Sequence, residues 1–312
     1  MKAAQISSYG DPSVIMLNEN APEPTVKPGQ LLVENYAASI NVFDWKLRSG
    51  FMQKMIPLQF PFTLGGDYSG KVIQVGDGVT NFKVGDEVYG QAIILSGGSG
   101  SMAEVVAANA VNSALRPTSI HFLEAGALPL VGVSAIQALE EHIGLHEGQK
   151  ILIHGGAGGI GHLAVQIAKS LGAYVAATAK TQDIEFVKNL GADEVIDYKT
   201  QKFDEVLKDF DAVYDTVGGE TTTASFAVLK KGGVLVSMLG KPDPALAEKY
   251  AVTAIGQQTK IDTARLEKLS QLIDSGKVSV HVDKVFPLEK VQEAFIYQEQ
   301  THPNGKVVLQ IR

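Results

Sequence analysis

Directly after the apolar run Lys150-Ile151-Leu152-Ile153-His154 the chain reads Gly155-Gly156-Ala157-Gly158-Gly159-Ile160-Gly161, and Gly156, Gly158 and Gly161 fit the spacing G-x-G-x-x-G. Glycines so spaced serve three ends: a tight turn, close backbone approach to a pyrophosphate, and close packing of the next helix on a sheet. That helix is legible. Ile160, Leu163, Ala164, Ile167, Ala168 and Leu171 share one face, and Gly172 stands at the C-terminal cap. Its N-terminus offers backbone N–H groups and the positive end of a dipole to phosphates. A turn that binds nothing is the alternative, but a strand before the loop and a helix and strand after it favour a dinucleotide.

The end of the following strand distinguishes NAD from NADP. An Asp or Glu about 20 residues past the loop holds a free ribose 2′-hydroxyl. Here the segment is Ala176-Ala177-Thr178-Ala179-Lys180-Thr181-Gln182, with no carboxylate before Asp183, which is placed to cap or charge the next helix. Lys180, with Thr178 and Thr181 beside it, can pair with a 2′-phosphate, so the cofactor expected is NADPH. The alternative for Lys180 is a solvated surface cation.

Other chemistries are narrowed by composition. The chain has no cysteine, which removes disulfides, thiol nucleophiles and thiolate zinc sites. His142 and His146 are four apart and could share a helical face, but no H-E-x-x-H occurs, and no zinc is expected. Net charge is −7 without a Lys/Arg block, so no nucleic-acid surface is expected. Met1–Gly10 lacks a signal-peptide core, and the most apolar stretch, 125–139, is short and contains Pro129 and Gly132. A soluble, cytoplasmic protein without a membrane partner is the expectation.

The elements that must position these residues fall into two rhythms. The first 120 or so residues are turn-rich, with strands predicted at Leu31–Ala37, Gly70–Gly76 and Val84–Gly90 and a flexible connection at Ser96–Ser101. From about residue 122 strands and helices alternate: strands at Lys150–His154, Tyr174–Thr178, Glu194–Asp197, Asp211–Asp215 and Gly233–Met238, with helices between. Such alternation predicts a parallel, doubly wound α/β sheet. The tail holds a helix over Leu266–Ile273, the run Val285-Phe286-Pro287 and a closing strand Lys306–Ile311.

With these motifs in place, the whole chain resembles the medium-chain dehydrogenase/reductase superfamily, in its branch of zinc-independent quinone oxidoreductases and NADPH-dependent enone/alkenal reductases. Residues 41–50 resemble the family's N-x-x-D-x-x-x-R-x-G segment. Gly65-Gly66-Asp67-Tyr68-Ser69-Gly70-Lys71-Val72, Val75-Gly76 and Gly85-Asp86-Glu87-Val88 resemble its G-x-(E/D)-x-x-G-x-V … V-G … G-D-x-V series. Residues 129–135 resemble its P-x-x-G-x-T-A helix, with Ser134 for the usual Thr. Residues 191–198, Asp215-Thr216-Val217-Gly218-Gly219 and Asn304-Gly305-Lys306-Val307-Val308 complete the series. The zinc enzymes' cysteine near position 43 and four-cysteine lobe are missing, and Tyr89–Met102 is too short for that lobe.

The resemblance implies a Rossmann dinucleotide-binding domain, 123–260, inserted into a partly open β-barrel (GroES-like) domain made of 1–122 and 261–312, with the active site in the cleft between them and a homodimer as the assembly. It further implies that Gly158, Gly159 and Ile160 contact the pyrophosphate, that Thr178 and Lys180 hold the 2′-phosphate, that Tyr198 packs near the adenosine end and that Val217 lies under adenine or ribose. Met238, Leu239 and Gly240 would approach the nicotinamide riboside, and Ser134 would hydrogen-bond near the nicotinamide. Asn41 and Asp44 would orient ring and substrate. Their alternative is an Asn/Asp turn that caps a helix. Phe43 and Trp45 would line the pocket or belong to the core, and Tyr68 would be a wall or proton donor.

Without zinc to stabilise an alkoxide, an already electron-poor substrate suits the site better. A quinone or an α,β-unsaturated carbonyl accepts hydride directly, because its carbonyl spreads the charge. The protein then supplies position, dry walls and a hydrogen bond to the oxygen. An enoyl-thioester reductase, or a protein that binds NADPH without turnover, are the alternatives.

Overall fold

The computed structural model describes all 312 residues, Met1–Arg312. In chain order it lays down β1 (Ala3–Ile6), β2 (Ile15–Asn18), β3 (Gln30–Ile40), α1 (Val42–Arg48), β4 (Phe62–Thr63), β5 (Asp67–Val75), β6 (Glu87–Gln91), β7 (Val105–Asn109) and β8 (Ser113–Leu115). Helices α2 (Phe122–Gly126) and α3 (Pro129–Ile136) follow. Then come β9 (Lys150–His154), α4 (Gly161–Ser170), β10 (Tyr174–Ala179), α5 (Ile184–Asn189), β11 (Glu194–Asp197), α6 (Phe203–Val206) and β12 (Phe210–Asp215). The chain continues through α7 (Glu220–Ser225), β13 (Leu229–Ser237), α8 (Pro244–Tyr250) and β14 (Thr253–Gly256), and ends with α9 (Thr263–Asp274), β15 (Val282–Pro287), α10 (Val291–Thr301) and β16 (Lys306–Gln310).

These elements form two compact units, one of Met1–Leu130, Ile261–Asp274 and His281–Arg312, the other of Val131–Lys260 and Ser275–Val280. The division differs from the sequence boundaries at two places, each for a local reason. Residues 123–130 stay with the first unit because α2 lies on β3 and β5: the Ser69 hydroxyl donates to the Phe122 carbonyl (2.5 Å), and a Cβ on Gly126 would stand 3.1 Å from that of Ala37. Residues 275–280 stay with the second because the Ser279 N–H and hydroxyl both donate to Gln166 Oε1 on α4 (2.9 and 3.1 Å).

In the first unit β3 is the hub. It pairs antiparallel with β16, β5 and β7, and the ladder runs β15-β16-β3-β5-β6-β8; a second sheet orders β2-β1-β4. One core cluster, with Ile6, Ile40, Leu47, Phe62, Phe295 and Leu309, seats α1 and α10. Another, with Leu31, Val33, Tyr68, Val72 and Val106, fills the barrel. The expected flexible segment Ser96–Ser101 is tied down instead. Gln30 Nε2 donates to the Gly97 carbonyl (2.8 Å), and Asn35 Nδ2 to that of Ser101 (2.7 Å).

The second unit is an all-parallel sheet ordered β11-β10-β9-β12-β13-β14. Ile151, Leu152 and Ile153 of β9 are fully buried, as a strand covered on both faces requires. The order reverses direction between β9 and β12, which makes the carboxyl ends of those strands the crevice for a ligand. No helix in either unit is long and apolar enough to cross a membrane.

Candidate functional site

In the second unit the glycine loop occupies the carboxyl end of β9, and its glycines divide the work differently from the motif's simple reading. The turn belongs to Gly155, whose φ of +72° lies in the left-handed region. Gly156 packs against the sheet and α5: a Cβ there would stand 2.9 Å from that of Ala177 and 3.1 Å from Val187 Cγ1. At Gly161 a Cβ would fall 2.0 Å from the Gly155 carbonyl oxygen, so the start of α4 closes on the turn only without a side chain. Gly158 is different. Its nearest neighbour across that space is the Gly155 oxygen at 3.4 Å, and Gly158, Gly159 and Ile160 are half-buried. The protein does not fill the space a Gly158 side chain would take, which is the shape a closely approaching pyrophosphate needs.

Other predicted positions gather at the same carboxyl edge. Lys180 follows β10, with its Nζ 3.7 Å from Asp183 Oδ2. Asp183 makes no side-chain cap to α5, so its charge serves Lys180 and the first turn of the helix. Tyr198 follows β11, half exposed, and its N–H donates to the Ala179 carbonyl (3.2 Å). Val217 is exposed beyond β12, where Asp215 Oδ1 accepts the N–H groups of Val217 and Gly218 (2.9 and 3.0 Å). Met238, Leu239 and Gly240 follow β13, and the Met238 N–H donates to the Asp215 carbonyl (2.9 Å).

Two residues expected at the cofactor are corrected. Thr178 is only 4% exposed. Its hydroxyl oxygen accepts the Gly155 N–H (3.1 Å) and lies 3.2 Å from His154 Nδ1, while its carbonyl accepts the Gly156 N–H (2.9 Å). It pins the loop from inside and presents no hydroxyl to a phosphate. Ser134 is fully buried on α3, its hydroxyl 2.6 Å from that of Thr259 and its carbonyl accepting from Tyr214 Oη and Gln257 Nε2. Its side chain knots the fold rather than facing a ligand.

In the first unit Asn41 and Asp44 open α1. Asp44 Oδ2 accepts the Asn41 backbone N–H (2.8 Å), so the helix-capping reading of Asp44 holds. The Asn41 side chain goes elsewhere. Its Nδ2 donates to Asp67 Oδ2 on β5 (2.9 Å), and its Oδ1 accepts from Lys306 Nζ on β16, which also donates to the Ile40 carbonyl (3.0 Å). An ammonium only donates and a carboxylate oxygen accepts, so the amide can face only one way. Asp67 also accepts from the Ser39 hydroxyl (3.3 Å) and the Leu130 N–H (3.2 Å).

All four residues are buried, at 6% exposure or less. Burial pushes Asp44 up to about 7, opposed by the Asn41 N–H and helped by Asp67. Burial likewise pushes Asp67 up, with Lys306 opposing, and pushes Lys306 down, with both carboxylates opposing. The network is one of mutual compensation around a fixed amide.

Tyr68 is a further correction. It is fully buried in the barrel core, its hydroxyl 2.7 Å from that of Ser113, so it is a core residue. Phe43 and Trp45 are half-buried against the first core cluster. The sequence reading gave no role to Asp67, Lys306 or His154. A lysine at the edge of a strand carries no local sign of burial, whereas a histidine ending an apolar strand before a glycine loop could have drawn attention.

His142 and His146 do not share a helix face. Gln137–His142 form a π-helical turn that ends at His142, and His146 Nδ1 lies 3.1 Å from the Glu147 carbonyl. No three His, Cys, Asp or Glu side chains are grouped to hold a metal ion.

Comparison with known proteins bears on the family and the fold. Residues 27–118 match the alcohol dehydrogenase GroES-like domain, and residues 190–309 match the zinc-binding dehydrogenase family. The chain is 39% identical to a 2-methylene-furan-3-one reductase of Solanum lycopersicum, over 99% of this chain and 79% of that one. It is 37% identical to an NADPH-dependent alkenal/one oxidoreductase, chloroplastic, of Arabidopsis thaliana, over 99% and 79%. The solved quinone oxidoreductase of Coxiella burnetii superposes with a TM-score of 0.92 at 34% identity, covering 100% of this chain and 99% of that one. With its GroES-like barrel, its parallel sheet in Rossmann order and relatives matched over nearly its whole length, the chain belongs to the medium-chain dehydrogenase/reductase superfamily, in its zinc-independent quinone oxidoreductase branch.

Proposed function

We propose that the chain is an NADPH-dependent reductase that needs no zinc and delivers hydride to a quinone or an α,β-unsaturated carbonyl. The observation that carries the reading is the open space at Gly158, bounded by a loop in which Gly155, Gly156 and Gly161 are each held to glycine by the fold. NADPH supplies the hydride when bound. Gly158, Gly159 and Ile160 offer backbone to its pyrophosphate, Lys180 offers charge to its 2′-phosphate, Tyr198 and Val217 serve the adenosine end, and Met238–Gly240 serve the nicotinamide riboside. The names of the relatives, a 2-methylene-furan-3-one reductase, an alkenal/one oxidoreductase and a quinone oxidoreductase, support an electron-poor carbonyl as substrate.

In the first unit Asn41 is the group proposed to direct a polar substrate or ring. Its amide is locked by Asp67 and Lys306, while Asp44 holds the first turn of α1 beneath it. A locked amide loses no orientation freedom when it receives a ligand, which is how a positioned dipole lowers a barrier. A homodimer is the assembly proposed, on the superfamily resemblance.

The test is NADPH oxidation against a panel of quinones, enones, enals and enoyl thioesters, with products identified. Saturated carbonyls or hydroquinones support the reading. Turnover of thioesters alone would make it an enoyl-thioester reductase. Tight NADPH binding with no turnover of any of them would make it a binding protein.

A further inference from the structure

We propose that His154, acting through Thr178, is a positioning residue for the pyrophosphate loop and is locked as the neutral tautomer that carries its proton on Nε2. The inference rests on the reading of that loop as a dinucleotide site. It follows from hydrogen-bond accounting at buried groups, where each donor must find an acceptor.

Thr178 Oγ1 accepts the Gly155 N–H (3.1 Å), and its other contact is His154 Nδ1 at 3.2 Å. The threonine proton therefore goes to Nδ1, which must be bare. At the opposite side of the ring, Ser225 Oγ on α7 already donates to the Thr221 carbonyl (2.6 Å), so it can only accept from His154 Nε2 at 3.0 Å. Two constraints from different elements thus demand the same tautomer. His154, Thr178 and Ser225 are all buried, and the ring of Phe203 meets the imidazole edge-on at 4.5 Å.

The chain of bonds ends on the residue that makes the turn. Gly155 is gripped by Thr178 through its N–H and approached by Thr216, whose hydroxyl donates to the His154 carbonyl (2.7 Å). The Gly155 carbonyl in turn accepts the Gly158 N–H (3.0 Å), so the position of the first peptide passes to the glycine that leaves room for the ligand. His154 joins the ends of β9 and β10 to α7 and sets that peptide. Because the pyrophosphate is common to both dinucleotides, loosening this chain weakens NADPH and NADH alike.

Two measurements test it. In 15N-histidine-labelled protein, with His154 assigned by the signal lost in His154→Gln, the two-bond 1H–15N pattern at neutral pH should show a bare Nδ1 and a protonated Nε2. A proton on Nδ1, alone or in the imidazolium, overturns the proposal. Thr178→Val should raise the Kd for NADPH and for NADH by the same factor, roughly tenfold, as expected when a buried N–H loses its acceptor. Thr178→Ser should restore both. Selective loss of NADPH would return Thr178 to the 2′-phosphate and overturn the proposal, as would unchanged affinities in a variant whose wild type binds. Wild-type protein that binds neither dinucleotide overturns it together with the pyrophosphate reading. The tautomer measurement needs no stable variant at Thr178.

Discussion

The ammonium of Lys306 donates to the side-chain carbonyl of Asn41, joining the last strand of the chain to the N-cap of α1. Lys306 holds the Ile40 carbonyl as well, and its charge offsets that of Asp67 and Asp44. Lys306→Met keeps the aliphatic stem but leaves two acceptors and two buried carboxyl groups without their cation. Removing one side of a buried charge cluster costs roughly 3–5 kcal/mol. Urea unfolding at neutral pH should show a loss of that order, shrinking in acid as the carboxyl groups take up protons. A variant as stable as the wild type at neutral pH would mean that the ammonium compensates nothing.

Asp44 gives the network a pH signature. Unfolded, its carboxyl titrates at the usual value of about 3.9; folded, burial pushes it up to about 7. Between the two the native state keeps a proton that the unfolded state has lost, so raising the pH through this window removes stability. Asp67, also raised, acts with the same sign, while Lys306, lowered, acts with the opposite sign below the ordinary lysine value. Asp44→Asn keeps an oxygen to accept the Asn41 N–H but cannot ionise. Its unfolding free energy should therefore fall less steeply than the wild type's between about pH 4 and pH 7. Parallel slopes in denaturant titrations would assign the titration elsewhere.

Local patterns carried much of the fold and little of the Asn41 network. Strands β9 and β11 match their sequence limits, and α9 begins three residues before the expected Leu266, because apolar runs and helical periods are short-range signals. The glycine loop was legible for the same reason. The Asn41–Lys306 contact joins residues 265 apart, and no periodicity reports such a pairing. Thr178, Ser134 and Tyr68 misled in one way: each carries a hydroxyl that suits a ligand, but each finds a partner inside its own unit, at His154, Thr259 and Ser113. A hydroxyl's type is in the sequence; whether the fold has already used it is not. Ser96–Ser101 reads as a flexible composition until Gln30 and Asn35, far back in the chain, supply the bonds that hold it.

Lys180 should separate the two dinucleotides. It stands at the end of β10 with Asp183 3.7 Å from its ammonium, half-buried and anchored near the expected 2′-phosphate. A charge-assisted hydrogen bond is worth about 1.5–3 kcal/mol, so Lys180→Ala should weaken NADPH roughly 10- to 100-fold and leave NADH nearly unchanged. Fluorescence titration with each cofactor reads this directly. Equal losses for both would show that Lys180 serves the loop or the helix and not the phosphate.

The glycines offer the sharpest separation of fold from site. At Gly161 a methyl group would collide with the Gly155 carbonyl 2.0 Å away, backbone against backbone, so Gly161→Ala must shift the start of α4 or the turn before it. Overpacking of that kind costs about 1–3 kcal/mol or more, and the variant should melt at a lower temperature than the wild type. At Gly158 the same methyl group meets only an oxygen at 3.4 Å, and the backbone is not in the left-handed region. Gly158→Ala should therefore melt within a degree or two of the wild type, since a tolerated surface change shifts stability by about 0.5 kcal/mol or less. Yet it puts a carbon where the pyrophosphate must approach, so NADPH and NADH should both bind far more weakly. Calorimetric melting and cofactor titration on the same two preparations check both halves. Intact NADPH binding by Gly158→Ala would show that the space beside Gly158 is not where the cofactor lies.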